Sequence, residues 1–442
     1  MNYKILLYLL LVPFCCNQLS AQQFEPLISK CWDNDDQLKA NHFELKSAEY
    51  AYKEAKAMYG PAAGFQTQYT RASGGRIIEF PIGDIINPVY STLNALTQGN
   101  SFPMLKNEEI NFLPDNFYDA RFRIEQPIYY PDLQINKALK SEQISLKQIE
   151  IKAYKRLLSR EVMLAYINYN SVIKSLRIIE SGDSLLNEVK RITESMIRNG
   201  VALPAALYRV NNEIATLKSK KAEVEASRAN ALAYIRQLTG DSSFLPDDFV
   251  KGLDKLPSAI VESGSIREES SQLELAIRMN GLAMKKEDMF YTPRVGAVLD
   301  LGSQAFDFGW SPYVLFGLNF EINLFDSKRN KFRKEQYAAT NEAYKSKKNK
   351  VDNQLYLQRT VAFNNFISTL EQAADFDVRL AGAKKFYTDI LAAYKAGSAG
   401  YLEMIDARTT LTTTEIEKEL MLDKAWAGWA EYVYASAAWP ID

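Results

Sequence analysis

Residues 132–199 read DLQINKALKSEQISLKQIEIKAYKRLLSREVMLAYINYNSVIKSLRIIESGDSLLNEVKRITESMIRN, with no proline anywhere in the run. Proline removes a backbone donor and clashes with the preceding turn, so its absence permits a helix without a break. Ala, Leu, Lys, Glu, Gln and Arg, all good helix formers, dominate the stretch. Its apolar residues step by threes and fours, at Leu146, Ile149, Ala153, Leu157, then Leu164 and Ile167. That is the seam of a helix packed in coiled-coil fashion. Such a helix is on the order of 100 Å long, whereas globular helices average about three turns. A second proline-free span of the same composition lies between Tyr313 and Trp439.

Downstream, each long helix stops at glycine and a second helix follows. Arg198-Asn199-Gly200 precedes a helix from Leu203 to Leu238, and Ala396-Gly397-Ser398-Ala399-Gly400 precedes one from Leu402 to Ala437. Glycine just past a helix end supplies the left-handed cap. Two helical hairpins are expected.

Upstream of each long helix, apolar and polar residues alternate with period two. Val314, Phe316, Leu318, Phe320, Ile322 and Leu324 share one face, and Tyr313, Gly317, Asn319, Glu321 and Asn323 the other. Ala120, Phe122, Ile124 and Ile128 likewise oppose Asp119, Arg121, Arg123 and Glu125. A wall between lipid and water alternates in this way, and so does one face of a soluble sheet. Partner strands begin near Pro61 (Phe65, Thr67, Tyr69) and near Pro293 (Val295, Ala297, Leu299, Leu301).

The chain is therefore an internal duplication. Glu125 corresponds to Glu321, Tyr129 to Phe325 and Gly200 to Gly397. The first repeat spans 22–240, with an opening helix from about Leu27 to Met58, a β-hairpin at about 61–129 and a helix pair at about 132–240. The second spans 271–442, with an opening helix from about Ser271 to Met289, a hairpin at about 293–325 and a helix pair at about 326–438. The segment 241–270 is an irregular connector. The first hairpin carries a long insertion from about Ala72 to Asp115, with Pro81, Pro88 and Pro103.

The N-terminus carries Lys4, an apolar run from Ile5 to Phe14 and a cleavage-like Leu19-Ser20-Ala21. It reads as a signal peptide over 1–21, the run being too short to span a membrane. Cys15 and Cys16 leave a lipid anchor open, although lipoprotein signals usually carry a small residue before the modified cysteine and Phe14 precedes Cys15. If cleavage follows Ala21, Cys31 is the one cysteine of the mature chain and forms no internal disulfide. An exported chain without a long apolar helix is periplasmic, secreted or a β-barrel of the outer membrane.

Composition narrows the class further. Among 442 residues, hydrophobic types make up 47% and the formal net charge is −1, which gives no basic face for nucleic acid. His42 is the only histidine. No His-Glu-x-x-His, Gly-x-Ser-x-Gly or phosphate-cradling glycine loop occurs. No catalytic residue, metal ligand or cofactor is expected; a coupled Cys31–His42 pair in a pocket would reopen catalysis.

Gly397-Ser398-Ala399-Gly400-Tyr401-Leu402-Glu403-Met404-Ile405-Asp406-Ala407 resembles the hairpin-tip run of the TolC-like outer-membrane efflux family. Gln126-Pro127-Ile128-Tyr129 and Asn323-Leu324-Phe325-Asp326 resemble its strand-to-helix junction, with Asn323 where the family usually has proline. The resemblance covers essentially the whole mature chain. It implies a mainly α fold with transmembrane β-strands, in which three copies build one 12-stranded barrel and a helical tunnel through the periplasm. It implies a conduit for efflux or type I secretion in the outer membrane of a Gram-negative bacterium. The partners would be membrane lipid, a periplasmic adaptor and an inner-membrane RND or ABC pump. Asn199, Gly200, Val201, Ala202, Leu203, Gly397, Ser398, Ala399 and Gly400 would be adaptor contacts, and Glu403 and Asp406 a periplasmic gate. Arg121, Arg123, Glu125, Asn319 and Glu321 would face the barrel lumen. Ala206 and Arg209 stand where the first repeat would need Glu403 and Asp406. On residues alone, those two acids also read as a solvated helix start. A periplasmic coiled-coil scaffold without a pore is the alternative.

Overall fold

A computed structural model describes residues 24–246, 253–258 and 266–441. The expected signal peptide, with Cys15 and Cys16, lies outside the described residues, as does part of the connector. The helices are α1 (Glu25–Asn34), α2 (Asp36–Ala57), α3 (Ile82–Thr97), α4 (Pro131–Arg198), α5 (Pro204–Thr239), α6 (Glu268–Asp288), α7 (Arg329–Lys395) and α8 (Tyr401–Ala435). The strands are β1 (Ala62–Thr70), β2 (Ile77–Phe80), β3 (Glu108–Asn111), β4 (Phe117–Tyr129), β5 (Arg294–Phe306) and β6 (Pro312–Glu321). The two long helices are there: α4 has 68 residues, with Pro131 as its first, and α7 has 67. The described residues hold no helix apolar and long enough to cross a membrane.

Two compact units result, and each draws on both sequence repeats. One comprises Met1–Glu49, Glu142–Asn280 and Ala339–Asp442; the other comprises Tyr50–Ser141 and Gly281–Ala338.

The smaller unit is built on a four-stranded antiparallel sheet in the order β1-β4-β5-β6. The two expected hairpins are the β1–β4 and β5–β6 pairs, and β4 with β5 joins them. Side chains of one face line up across all four strands, in rows such as Phe65, Phe122, Leu301 and Val314. At Pro127, which has no N–H to give, the register slips before Tyr129. The β5–β6 turn places Asp307 and Phe308 at φ +50° and +54°, with the Gly309 N–H donating to the Phe306 carbonyl at 2.9 Å. That is the mirror-image turn hairpins favour, usually built with glycine. Here Phe308 stacks on Tyr69 and Tyr118, with ring centroids 5.5 and 6.0 Å away.

The insertion after β1 has its own order. β2 pairs with β3, and α3 is clamped to the irregular segment 102–105 by its polar side chains. Asn87 exchanges two hydrogen bonds with the Leu105 backbone, each 2.8 Å, and Asn94 does the same with Phe102 at 2.8 and 3.0 Å. Pro88 sits inside this helix rather than ending it.

The larger unit holds the hydrophobic core. Phe24, Cys31, Tyr166, Phe366, Trp426, Trp429 and Tyr432 share one buried cluster, with Phe24 6.1 Å from both tryptophan rings. The opening helix expected from Leu27 to Met58 is two helices. Asp35 takes an extended conformation between them, and its carboxylate accepts from the Leu38 N–H at 2.6 Å. That side-chain bond satisfies an orphan donor at the new helix start and makes the break stable.

Both helical hairpins turn on the same bonds. The Gly200 N–H donates to the Ile197 carbonyl and Val201 N–H to Met196; Gly397 N–H donates to Tyr394 and Ser398 N–H to Ala393. Gly200 and Gly397 sit at φ +73° and +76°. These are Schellman caps. The second helices close alike, at Gly240 (φ +63°) and at Ala437 (φ +54°), 197 residues apart like the two tips.

Candidate functional site

Two surfaces carry the sequence candidates: the polar face of the sheet and the pair of helical tips.

Arg121, Arg123 and Glu125 alternate along β4, and Asn319 and Glu321 along β6. The register puts all five on one face of the sheet. Arg123 is opposite Asp300 of β5 and grips it with two bonds, Nε to Oδ1 at 2.8 Å and Nη2 to Oδ2 at 2.7 Å. Arg121 pairs with Asp119 at 3.1 Å, and the Tyr313 hydroxyl donates to the other oxygen of Asp119 at 3.0 Å. Asp119, already read on this face, and Asp300, which was not a sequence candidate, are therefore its working members. Asp300 lies in the alternating pattern of β5, but only the β4–β5 register reveals its arginine.

The opposite face is apolar and bare. Phe65, Phe122, Val314, Phe316, Leu318 and Phe320 are each 59–73% exposed. Bands of exposed apolar surface this continuous mark contact with a partner or with lipid. β4 and β5 have 13 residues each, and about 9–11 tilted residues cross a bilayer. β1 and β6 have one neighbour each among the described strands, so their outer edges carry unpaired backbone groups.

At the tips, Asn199, Gly200, Val201, Leu203, Gly397, Ser398 and Gly400 are exposed, and Ala202 and Ala399 partly so. A Cβ added at Gly200 or Gly397 would meet nothing within 4 Å. The two tips share a cleft of about 520 Å³ lined by Arg191, Arg198, Lys395, Asn199, Val201 and Gly397. Beneath it, Val189, Val210, Tyr394 and Met404 form a small core, and the buried Thr193 and Tyr394 hydroxyls lie 3.1 Å apart, tying α4 to α7. Burial pushes the Tyr401 hydroxyl up to about 12. None of the three basic residues of the cleft was a sequence candidate, because a charge on a helix reads as a solvated face.

Glu403 and Asp406 are both exposed near the start of α8. Glu403 has a local duty: its carboxylate accepts from the Gly400 N–H at 3.2 Å, half of a capping box.

Cys31 and His42 do not make a coupled pair. Cys31 is fully buried in the core and burial raises its thiol to about 12, while His42 is exposed on α2. The thiolate needed for nucleophilic chemistry is not available there. The described residues contain no group of three or more His, Cys, Asp or Glu placed to hold a metal.

No protein-family model matches the chain, and no curated protein matches its sequence. Solved structures do match its fold. A structure of CusC superposes with a TM-score of 0.75 at 15% identity, covering 94% of this chain and 92% of that one. The outer membrane protein VceC of Vibrio cholerae gives 0.73 at 13%, covering 94% and 96%. The open state of the Neisseria gonorrhoeae MtrE outer membrane channel gives 0.72 at 13%, covering 94% and 89%. The chain has the fold of these outer-membrane proteins along almost its whole length.

Proposed function

We propose that three copies of this chain form an export channel in the outer membrane of a Gram-negative bacterium, with the long helices in the periplasm. The sheet carries the reading: one face apolar and bare, the other lined by arginine–aspartate pairs, with two open edges. An unpaired edge is untenable in lipid, and four strands are fewer than the roughly eight of the smallest bacterial barrels. Pairing β6 of one copy with β1 of the next closes the sheet, and three copies supply the 12 strands that the family resemblance implies. A coiled-coil scaffold in water would have no use for the bare apolar face.

In this assembly Arg121, Arg123, Glu125, Asn319 and Glu321 face the lumen and Phe65, Phe122, Phe316 and Phe320 face lipid. The tips at Gly200 and Gly397 receive a periplasmic adaptor that links the channel to an inner-membrane pump. Glu403 and Asp406 of three copies stand as carboxylate rings at the inner mouth. The chain acts as a passive conduit and carries out no catalysis.

Cell fractionation with a native-mass measurement tests this. The expected result is a trimer in the outer-membrane fraction that forms ion-conducting pores in planar bilayers. A soluble periplasmic chain that forms no pores would overturn the proposal and leave the scaffold.

A further inference from the structure

Arg408, on α8, is only 4% exposed. Its guanidinium lies 5.6 Å from the centre of the Tyr387 ring, and Nη2 is buried with no hydrogen-bond partner among the described residues. A desolvated cation with an idle donor is costly unless something fills the place. Beside it is a cavity of about 180 Å³ between α4, α5 and α8. Gly182 of α4 lines that space, and a Cβ there would stand 3.4 Å from Arg408 Nη2 and from Leu217 Cδ2.

The other walls define the occupant. Leu186, Leu217 and Ile405 give an apolar lining and Lys220 offsets Glu213, so Arg408 supplies the unbalanced positive charge of the lining; Glu415 is near enough to act on it but makes no hydrogen bond to Nη2. Arginine presents a planar fork that matches a carboxylate. We propose that this cavity binds a small organic carboxylate, its oxygens on Arg408 and its short hydrocarbon part against Leu186, Leu217 and Ile405. Because α8 belongs to the second helical hairpin and α4 and α5 to the first, an occupied site ties the two hairpins together.

The test titrates butyrate, inorganic phosphate and butanol into the purified full-length protein, by calorimetry and by the melting of its far-UV circular dichroism. Butyrate is expected to bind saturably and raise the melting midpoint, while phosphate and butanol bind at least about tenfold more weakly, each lacking one half of the recognition. R408M is expected to lose the butyrate response while melting no lower without ligand, since it removes an unsatisfied buried charge. R408K keeps the charge but not the fork and should bind about tenfold more weakly. Should R408M fail to fold, R408K and the cavity-filling Gly182→Val carry the test. Equal responses to butyrate in wild type and variants would overturn the site. Equal binding of phosphate would overturn the ligand class, and no response to any probe would mean the cavity holds water only. Binding is measured on the isolated protein, so it stands or fails independently of whether the protein conducts.

Discussion

The two repeats have nearly the same backbone and quite different side chains. Their tips carry the same Schellman cap and their second helices start at Pro204 and Tyr401, 197 residues apart. Yet the first tip continues into Ala206 and Arg209 where the second has Glu403 and Asp406, and Ala226 stands where the second has buried Asp423. The β1–β4 connection is a folded insertion, the β5–β6 connection a short turn. Duplication preserved the main-chain hydrogen bonds that make a hairpin, which tolerate many side chains. What differs is which helix each side chain meets.

The way each repeat is anchored to α4 sharpens the contrast most. In the first, Asp35 at the break before α2 accepts from the Tyr154 hydroxyl at 3.1 Å. The second opens at Glu268, held by two bonds from buried Arg156 at 2.7 and 2.9 Å. Burial opposes ionisation of Glu268, but the Arg156 bonds prevail and hold its carboxyl below the usual range. Arg156→Met strands a buried carboxylate and should cost about 3–5 kcal/mol, with part regained on adding Glu268→Gln. Tyr154→Phe should cost about 1 kcal/mol. Chemical denaturation followed by circular dichroism measures both; equal losses would mean the two anchors are equivalent after all.

Asp423 comes next. It lies on α8 against α4, with Asn170 Nδ2 3.4 Å away and Lys174 and Glu419 nearby. Burial raises its carboxyl to about 6, against the pull of Ser171, Lys174 and Asn170. A folded value above the unfolded one means that its contribution is fully present below about pH 4 and is lost as pH rises through about 6. Asp423→Asn should therefore stabilise the helical unit above pH 7, by on the order of 2–3 kcal/mol, and the gain should vanish below pH 4. Ala226→Asp in the first repeat should show no such pH profile. A gain for Asp423→Asn that is the same at pH 4 and pH 8 would contradict this assignment.

At the tips the repeats should respond alike to a backbone insult. Gly200→Val or Gly397→Val forces a branched side chain into the left-handed region at about 1–2 kcal/mol, without a clash, since the space is open. If the proposed trimer docks an adaptor at these tips, trimers should persist while export falls. A loss confined to one variant would show that the adaptor reads one hairpin; unchanged export in both would remove the docking role.

Legibility in the sequence followed the range of the interaction. The long helices and their glycine stops were readable because proline exclusion and capping are local. The faces of β4 and β6 were readable because alternation has period two, which placed Arg123 correctly without revealing Asp300, 177 residues away. The break at Asp35 was missed because the apolar pattern continues through it and only the Leu38 bond decides. In α3, Pro88 masked a helix whose own Asn87 and Asn94 side chains tie it to the backbone of Leu105 and Phe102. Arg408 gave no signal, since its burial depends on Gly182 and Tyr387 on two other helices.

The smallest effect in energy is the most informative about the proposed channel. If three copies bring their second hairpins together, Glu403 and Asp406 make two carboxylate rings in a narrow opening with low-dielectric walls, where like charges repel and cations are favoured. Neutralising them with Glu403→Gln and Asp406→Asn should lower the preference for cations and weaken block by divalent or trivalent cations added from the periplasmic side. The cost to folding is a few tenths of a kcal/mol, because glutamine still accepts from the Gly400 N–H and only the helix-dipole interaction is reduced. Ala206→Glu with Arg209→Asp, which writes the second tip's acids onto the first, should strengthen cation preference if both tips border the pore. Single-channel recording in planar bilayers reads all three proteins. Identical selectivity and identical block in wild type and the neutralised variant would mean that Glu403 is a helix cap and Asp406 a solvated neighbour, and the difference between the repeats at this position would then have no bearing on conduction.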